Sequence, residues 1–249
     1  RVGARIGHAD DLRARGLRLE QVGREIRIGE RVLDRPEYRT ALGLHDAGDL
    51  RLQVVAEGVV GRDEEPRVLR IIRQRRGGLQ VAINNAAINP TLSLAVLTPF
   101  AKAEEALATN VLGTFLVCRE SAKLMMRKQW GRIINLGSMA ARHEVAGEAL
   151  YTASKAAVNA LTRVLAKELY PHGITCNVVA PAAIETTMTA NINPVALQEL
   201  LQRNAIPAFG RPADVSAAVD CLIRPDSSAI TGQIIYLGGI QREFAKVLY

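Results

Sequence analysis

From residue 79 onward, short apolar runs alternate with longer stretches in which apolar residues recur every three or four positions. The short runs are typical of buried β-strands, and the longer stretches predict amphipathic helices. Strands that are apolar along their whole length predict an α/β protein with a doubly wound, mostly parallel sheet that has helices on both faces. Thr98 can cap the first long helix, with Pro99 at its first position. The predicted strands are 79–86, 132–138, 174–181 and 232–239, and the predicted helices are 98–128, 149–170, 194–203 and 212–223.

Polar or small residues follow three of the predicted strands. They are Asn84 and Asn85, then Gly137 and Ser138, and then Pro181. Because the carboxyl ends of parallel strands share one edge of a sheet, and ligands of such sheets bind beyond that edge, we expect a ligand site there.

Tyr151 and Lys155 stand four residues apart in the predicted helix 149–170. One helical turn separates them, so the two side chains can share a face. A nearby ammonium favours the phenolate and lowers the pKa of a tyrosine, which would suit proton transfer. Spacing alone favours an ordinary surface pair, but the position just after a strand end favours an active site.

The N-terminal region has a different composition. Residues 1–80 hold 17 Arg, no Lys and 13 of the 25 acidic residues, whereas residues 81–249 hold 9 Arg and 6 Lys. No clean strand or helical period is evident before a boundary near Gly78. High-GC coding sequence translated out of frame tends to give arginine without lysine, so one hypothesis is a gene read in the wrong frame over roughly residues 1–60, and real divergence is the alternative. Translating the source DNA in all three frames decides between them.

The best nucleotide-binding fragment in this region is "VGARIGHA". Gly3 and Gly7 are spaced like part of a glycine-rich phosphate loop. Such a loop needs a strand before it and a helix after it. Neither is evident here, so chance is the better interpretation.

Composition and charge favour some classes of protein over others. The net charge of +7 raises the possibility of nucleic-acid binding, but aromatics are only 4% and no DNA-binding motif is present, so we expect solvated charge and no nucleic acid. No apolar run approaches the ~20 residues of a membrane span, and we expect no membrane association. Three widely spaced cysteines suit the cytoplasm, and neither they nor the histidines show the spacing of metal ligands.

Several motifs occur together in a characteristic order. "NNAA" starts at Asn84, Asn110 lies inside a helix, Ser138 precedes Tyr151 by 13 residues, and Lys155 follows. "PAAIETTM" and "ITGQIIYLGG" come later in the chain. Over about residues 79–240, this order resembles the short-chain dehydrogenase/reductase (SDR) family, most closely the 3-oxoacyl-(acyl-carrier-protein) reductases.

The resemblance implies a Rossmann-type fold and one domain over residues 1–249. Residues 1–78 would be an atypical cofactor-binding half, and residues 79–240 a recognisable catalytic half. It also implies hydride transfer between NAD(P)(H) and a carbonyl or secondary alcohol, with 3-oxoacyl thioester reduction as the first expectation. NADP(H) is slightly favoured over NAD(H), and a homotetramer or dimer would form through the helices 98–128 and 149–170.

The resemblance also assigns roles to individual residues. Tyr151 would be the general acid in reduction and the base in oxidation. Lys155 would bind the nicotinamide ribose and lower the pKa of Tyr151. Ser138 would position the substrate carbonyl, and Asn110 would hold a water that links Lys155 to solvent. The implied cofactor-binding residues are Asn84, Ala86, Tyr151, Lys155, Pro181, Ile184 and Thr186.

Each motif residue also has a purely structural interpretation. Ser138 could cap the turn after its strand, Asn110 could be a buried polar residue bonded to backbone, and Thr186 could cap a helix. The combination at these spacings favours the functional interpretation. Ala87 and Ala182 replace glycines of the family pattern, and their methyl groups could crowd a cofactor.

Two rival functions remain at this point. The protein could be a catalytically silent relative with impaired cofactor binding that acts in binding or oligomerisation, because the phosphate loop is missing. Nucleic-acid binding is the second rival, and it predicts a salt-sensitive affinity for DNA. The substrate cannot be predicted, because its loops vary freely on one scaffold.

Overall fold

The computed structural model describes residues 52–55, 78–89, 93–184, 198, 201–202 and 204–238, with backbone only for residues 52–55. Thr186 and the Gly3–Gly7 fragment lie outside these residues, as does most of the predicted helix 194–203.

The described strands form a single five-stranded sheet in the order β1-β2-β3-β4-β5. Every neighbouring pair is parallel. The parallel sheet predicted from the apolar runs is therefore confirmed. The strands are β1 Leu52–Val55, β2 Val81–Asn84, β3 Gly131–Leu136, β4 Ile174–Pro181 and β5 Ile234–Leu237, and the helices are α1 Phe100–Leu107, α2 Thr114–Met126, α3 Ala140–His143, α4 Ala149–Leu169 and α5 Pro212–Ile223.

Helices cover both faces of the sheet, as the sequence predicts. On one face, α2 and α4 contribute to an apolar cluster with β2, β3 and β4. On the other face, α5 packs its Val215, Val219 and Leu222 against the same strands. Burial on both faces explains why these strands are apolar throughout and do not alternate.

The structure corrects the sequence prediction in two places. First, β1 lies in the region where no clean strand was expected. The polar Gln53 interrupts its short apolar run, which stands next to Arg51 in a region of scattered arginines, so no clear pattern marks it. Second, the predicted helix 98–128 begins at Phe100 and contains a π-helical turn over Ala108–Gly113 that separates α1 from α2. Thr98 is not its cap, because Pro99 holds the N-cap position and no side chain bonds the first turn there, while the Thr98 hydroxyl donates to the Leu94 carbonyl.

No helix among the described residues is both long and apolar enough to cross a membrane.

Candidate active site

Ser138, Tyr151 and Lys155 meet at the carboxyl edge of the sheet. Ser138 follows β3, and Tyr151 and Lys155 lie in the first two turns of α4. The Ser138 hydroxyl is close enough to the Tyr151 side chain to lower its pKa. Lys155 Nζ lies 5.7 Å from the centre of the Tyr151 ring and donates to the Leu136 carbonyl at 2.8 Å. The three residues expected to share the site are thus brought together.

The position of Ser138 suits both of its predicted roles, which are to cap the turn after β3 and to position the substrate carbonyl. Its Oγ accepts a hydrogen bond from the Ala140 N–H at 3.1 Å, at the start of α3. The hydroxyl proton is still available to a second partner, because a serine hydroxyl both accepts and donates. Capping a turn therefore orients this hydroxyl without using up its donor.

Burial is the largest influence on the pKa values of Tyr151 and Lys155. Loss of water raises the pKa of Tyr151, a hydrogen bond to Ser138 opposes that rise, and the charge of Glu148 adds to it. Burial lowers the pKa of Lys155 to about 8. The expected lowering of the Tyr151 pKa is therefore wrong for this arrangement, because desolvation outweighs any stabilisation of the phenolate. A phenol that keeps its proton at neutral pH suits the role of an acid.

Asn110 fastens the loop after β2 to α4. Its Oδ1 accepts from the Ile88 N–H at 2.9 Å, and its Nδ2 donates to the Ile88 carbonyl at 2.8 Å and to Ser154 Oγ at 3.0 Å. Both amide protons are used, so the side chain has no donor left for the expected water. The π-helical turn around Asn110 fits the frequent occurrence of such turns at functional sites.

Asn84 is directed into the protein interior. Its Nδ2 donates to Asn135 Oδ1 and to Cys118 Sγ, at 2.6 and 3.2 Å. This amide therefore belongs to a buried network that ties β2 to β3 and α2. If Asn84 contacts a cofactor as expected, its backbone has to provide that contact. Ala86, two residues further on, is half-buried on the loop that Asn110 holds.

The end of β4 also reaches the carboxyl edge. Pro181 is half-buried there, and Ile184 is buried with its side chain in the cluster under α5. A methyl group added at Gly210 would meet the side chain of Ile184, and one added at Gly238 would lie 2.8 Å from the Ala182 methyl. The methyl group of Ala182 therefore occupies space that Gly238 leaves open. This packing accommodates one of the two departures from the family pattern.

Three further residues at this edge were missed by the sequence analysis. Ser154 Oγ accepts from Asn110 and donates to the Tyr151 carbonyl at 2.7 Å. The charge of Glu148 raises the pKa of Tyr151, and the side chain of Asn89 lowers the pKa of Glu148. Glu148 could have been noticed from its spacing, since it stands three residues before Tyr151. Nothing in the sequence marks Asn89, because its partner is far away along the chain.

Comparison with known proteins identifies the class. A family model described as enoyl-(acyl carrier protein) reductase matches residues 45–239. The chain therefore belongs to the SDR family, a family of NAD(P)-dependent oxidoreductases. The matched range begins well before residue 79, which is where the family motifs begin in the sequence. It includes β1.

The curated relatives are reductases. The chain is 35% identical to the 3-oxoacyl-(acyl-carrier-protein) reductase FabG of Aquifex aeolicus over 162 residues, which is 65% of each chain. It is 32% identical to FabG of Vibrio cholerae over 185 residues, covering 74% of this chain and 75% of the relative. It is 34% identical to MabA of Mycobacterium tuberculosis, a reductase with the same activity in its name, over 73% of each chain. The match thus covers about two thirds to three quarters of each relative.

Proposed function

We propose that this protein uses NADPH to reduce the carbonyl of a 3-oxoacyl thioester to a secondary alcohol. The observation that carries the proposal is the convergence of Ser138, Tyr151 and Lys155 beyond the carboxyl ends of parallel strands. That edge is where such sheets bind ligands. The names of the relatives support the thioester as substrate.

The chain's own residues account for proton delivery. Ser138 donates a hydrogen bond to the substrate carbonyl and fixes its position next to the Tyr151 hydroxyl. Tyr151 gives its proton to the carbonyl oxygen as negative charge develops there. The buried Lys155 ammonium, whose centre lies 5.7 Å from the tyrosine ring, stabilises the phenolate that remains.

The described residues fit the nicotinamide half of a cofactor, which would supply the hydride. Lys155 uses one N–H for the Leu136 carbonyl, and an ammonium has three, so two can reach ribose hydroxyls. The small, half-buried Ala86 and Pro181 leave room at the strand ends. We assign Thr186, together with the backbones of Asn84 and Ile184, to the same half of the site.

Cofactor binding tests the first part of the proposal. Full-length protein titrated with NADPH and with NADH should change the fluorescence of each reduced cofactor, with tighter binding of NADPH. If folded protein binds neither, the silent alternative stands and the enzymatic proposal fails. Tighter binding of NADH would reverse the cofactor preference while leaving the reaction class in place.

Substrate turnover tests the second part. The protein should oxidise NADPH with an acetoacetyl thioester and produce the 3-hydroxyacyl thioester, identified by mass spectrometry. A crotonyl thioester, which carries a C=C bond next to the thioester, is the matched control because the family description names enoyl reduction. Turnover of crotonyl alone would replace the proposed reaction with enoyl reduction.

We further propose that two or four copies associate through the helix pair predicted from the resemblance. Leu112, Phe115 and Val164 are exposed apolar residues of this pair, with fractional exposures of 53%, 39% and 51%. Association through these helices would remove exposed apolar side chains from water, which is favourable. Light scattering at micromolar concentration should show a dimer or tetramer that Val164→Glu weakens. A monomer throughout would contradict this assembly.

A further inference from the structure

Two polar side chains near the start of α4 are not used in the proposed proton transfer. Glu148 is the residue that precedes the first turn of α4, three residues before Tyr151, and it is half-buried. The side chain of Asn89, which belongs to the loop after β2, is close enough to Glu148 to lower its pKa. The pair thus bridges two segments that leave the same edge of the sheet, next to the proton donor.

Both of these segments are held in place. Asn110 bonds the N–H and the carbonyl of Ile88, which directly precedes Asn89. On the other side, the Ser93 N–H donates to the Gly147 carbonyl at 3.0 Å, immediately before Glu148. The relative positions of Asn89 and Glu148 are therefore determined by backbone bonds and not by their own contact alone.

The pair has unused capacity to accept hydrogen bonds. Asn89 Oδ1 is buried and has no hydrogen-bond partner among the residues that the structure describes. A buried acceptor without a donor costs free energy, so such an atom calls for an explanation. The Glu148 carboxylate is a second acceptor, because an ionised carboxylate has no proton to donate. Two acceptors next to a reaction centre call for a donor from outside the protein.

We propose that Asn89 and Glu148 form a polar subsite that accepts a hydrogen bond from an amide N–H or a hydroxyl of the substrate. The inference rests on the proposed carbonyl reduction at Tyr151. In an acyl thioester, the donor is the amide N–H of the thiol arm. In another carbonyl compound, the donor is a hydroxyl close to the reacting carbonyl.

The test uses substrates that differ only in the donor. The first pair is acetoacetyl-N-acetylcysteamine and its N-methyl analogue, in which a methyl group replaces the amide proton. The second pair is ethyl 4-hydroxy-3-oxobutanoate and ethyl 3-oxobutanoate. For each, kcat/KM is measured with the full-length protein and saturating NADPH.

The wild-type protein should prefer the donor-bearing member of one pair by about tenfold, the change expected for one good hydrogen bond. Asn89→Ala and Glu148→Met, which each remove an acceptor, should bring that preference close to one, mainly through KM. Glu104→Met removes an exposed carboxylate from α1 and serves as the matched control, with the preference retained. Thermal unfolding checks that each variant is folded, and Glu148→Met keeps the test valid if Asn89→Ala is unstable.

Four outcomes are distinguishable. A preference in the first pair identifies the thiol arm as the donor, and a preference in the second identifies a hydroxyl. Equal turnover of both members of both pairs overturns the subsite while leaving carbonyl reduction intact. No turnover of any of the four, by protein that binds NADPH, overturns the proposed function and the subsite with it.

Discussion

Two groups of polar side chains lie at the end of β3, and they differ in how completely they are hydrogen-bonded. In the interior network, Asn135 accepts from Asn84 at 2.6 Å and donates to Thr162 Oγ1 at 2.8 Å, and all three residues are buried. At the active edge, Ser138 interacts with Tyr151, and two of the three Lys155 N–H groups have no hydrogen-bond partner among the described residues. Residues only three positions apart, Asn135 and Ser138, thus belong to the two different groups.

This difference in hydrogen bonding distinguishes a polar cluster that stabilises the fold from a ligand-binding site. A buried polar group that is satisfied within the protein stabilises the fold and has little left to offer a ligand. A buried group with unused donors or acceptors is costly in the absence of a partner, and this cost is what a binding partner would relieve. Hydrogen-bonding capacity left unused, rather than burial or residue type, therefore separates Asn84 from Lys155.

Removing the proton donor should have the largest effect. Tyr151→Phe deletes the hydroxyl and keeps the ring, so we expect kcat to fall by about 10²–10⁴-fold, the usual contribution of general acid catalysis. The NADPH affinity and the melting temperature should change little. Turnover close to the wild-type rate would show that Tyr151 is not the acid.

Breaking the interior network should lower the stability of the fold. Asn135→Leu leaves the buried Asn84 and Thr162 without their shared partner, which should lower the free energy of unfolding by about 1–3 kcal/mol. For a chain of this size the melting temperature should fall by about 2–4 °C per kcal/mol. Calorimetry measures this, with Ser138→Ala as the matched variant from the active edge. If Ser138→Ala destabilises the protein as strongly as Asn135→Leu, the distinction between the two groups fails.

Replacing Lys155 should have opposite effects on activity and on stability. Its ammonium is buried without an acidic partner among the described residues, and burial lowers its pKa from 10.5 to about 8. Replacing such a charge with an apolar side chain of similar size is often stabilising. We expect Lys155→Met to lose activity but to raise the free energy of unfolding by about 1–3 kcal/mol at neutral pH. Chemical denaturation of both proteins checks this, and a clearly less stable variant would contradict it.

The same lysine predicts a pH dependence. Between pH 8 and 10.5 the unfolded lysine still binds its proton and the folded lysine has released it. Stability rises with pH wherever the unfolded state binds more protons, so this lysine makes the wild type more stable across that window. The stability difference between Lys155→Met and wild type should therefore shrink from pH 8 to 10.5. A constant difference would show that Lys155 does not titrate there.

The smallest effect concerns the thiols. Cys118 and Cys176 are fully buried, and burial raises the pKa of Cys118 to about 12 and that of Cys176 well above its ordinary value. Cys221 is exposed. A thiol reagent should therefore modify Cys221 in the folded protein and the other two only after unfolding. Rapid modification of Cys118, located by peptide mass mapping, would show that the interior network opens readily.

Much of the fold could be predicted because its signals are local. Apolar runs located β2 to β5 to within a few residues, and the start of α5 at Pro212 was also predicted. β1 was missed because Gln53 interrupts its apolar run and arginines are scattered through the sequence around it. The π-helical turn was missed because the apolar period continues through it, although the backbone bonds change.

The candidate site could be predicted only in part. Tyr151 and Lys155 are one helical turn apart, so their shared face follows from the sequence. Whether they perform the assigned roles stays a prediction, as does the single domain over residues 1–249. The predicted direction of the Tyr151 pKa shift was wrong, because desolvation depends on neighbouring residues from several elements. Spacing along the chain does not reveal those neighbours.

The sequence by itself determined the layered α/β fold and the edge of the sheet where chemistry is expected, because hydrophobic period and strand-end residues are encoded locally. Only the tertiary structure decided which polar residues face that edge. Asn84 turns inward because Asn135 and Cys118 are there to bond it, and Asn89 joins Glu148 because Asn110 holds its loop in place. These partners are 20 or more residues apart in sequence, and only the packed sheet and helices bring them within hydrogen-bond distance.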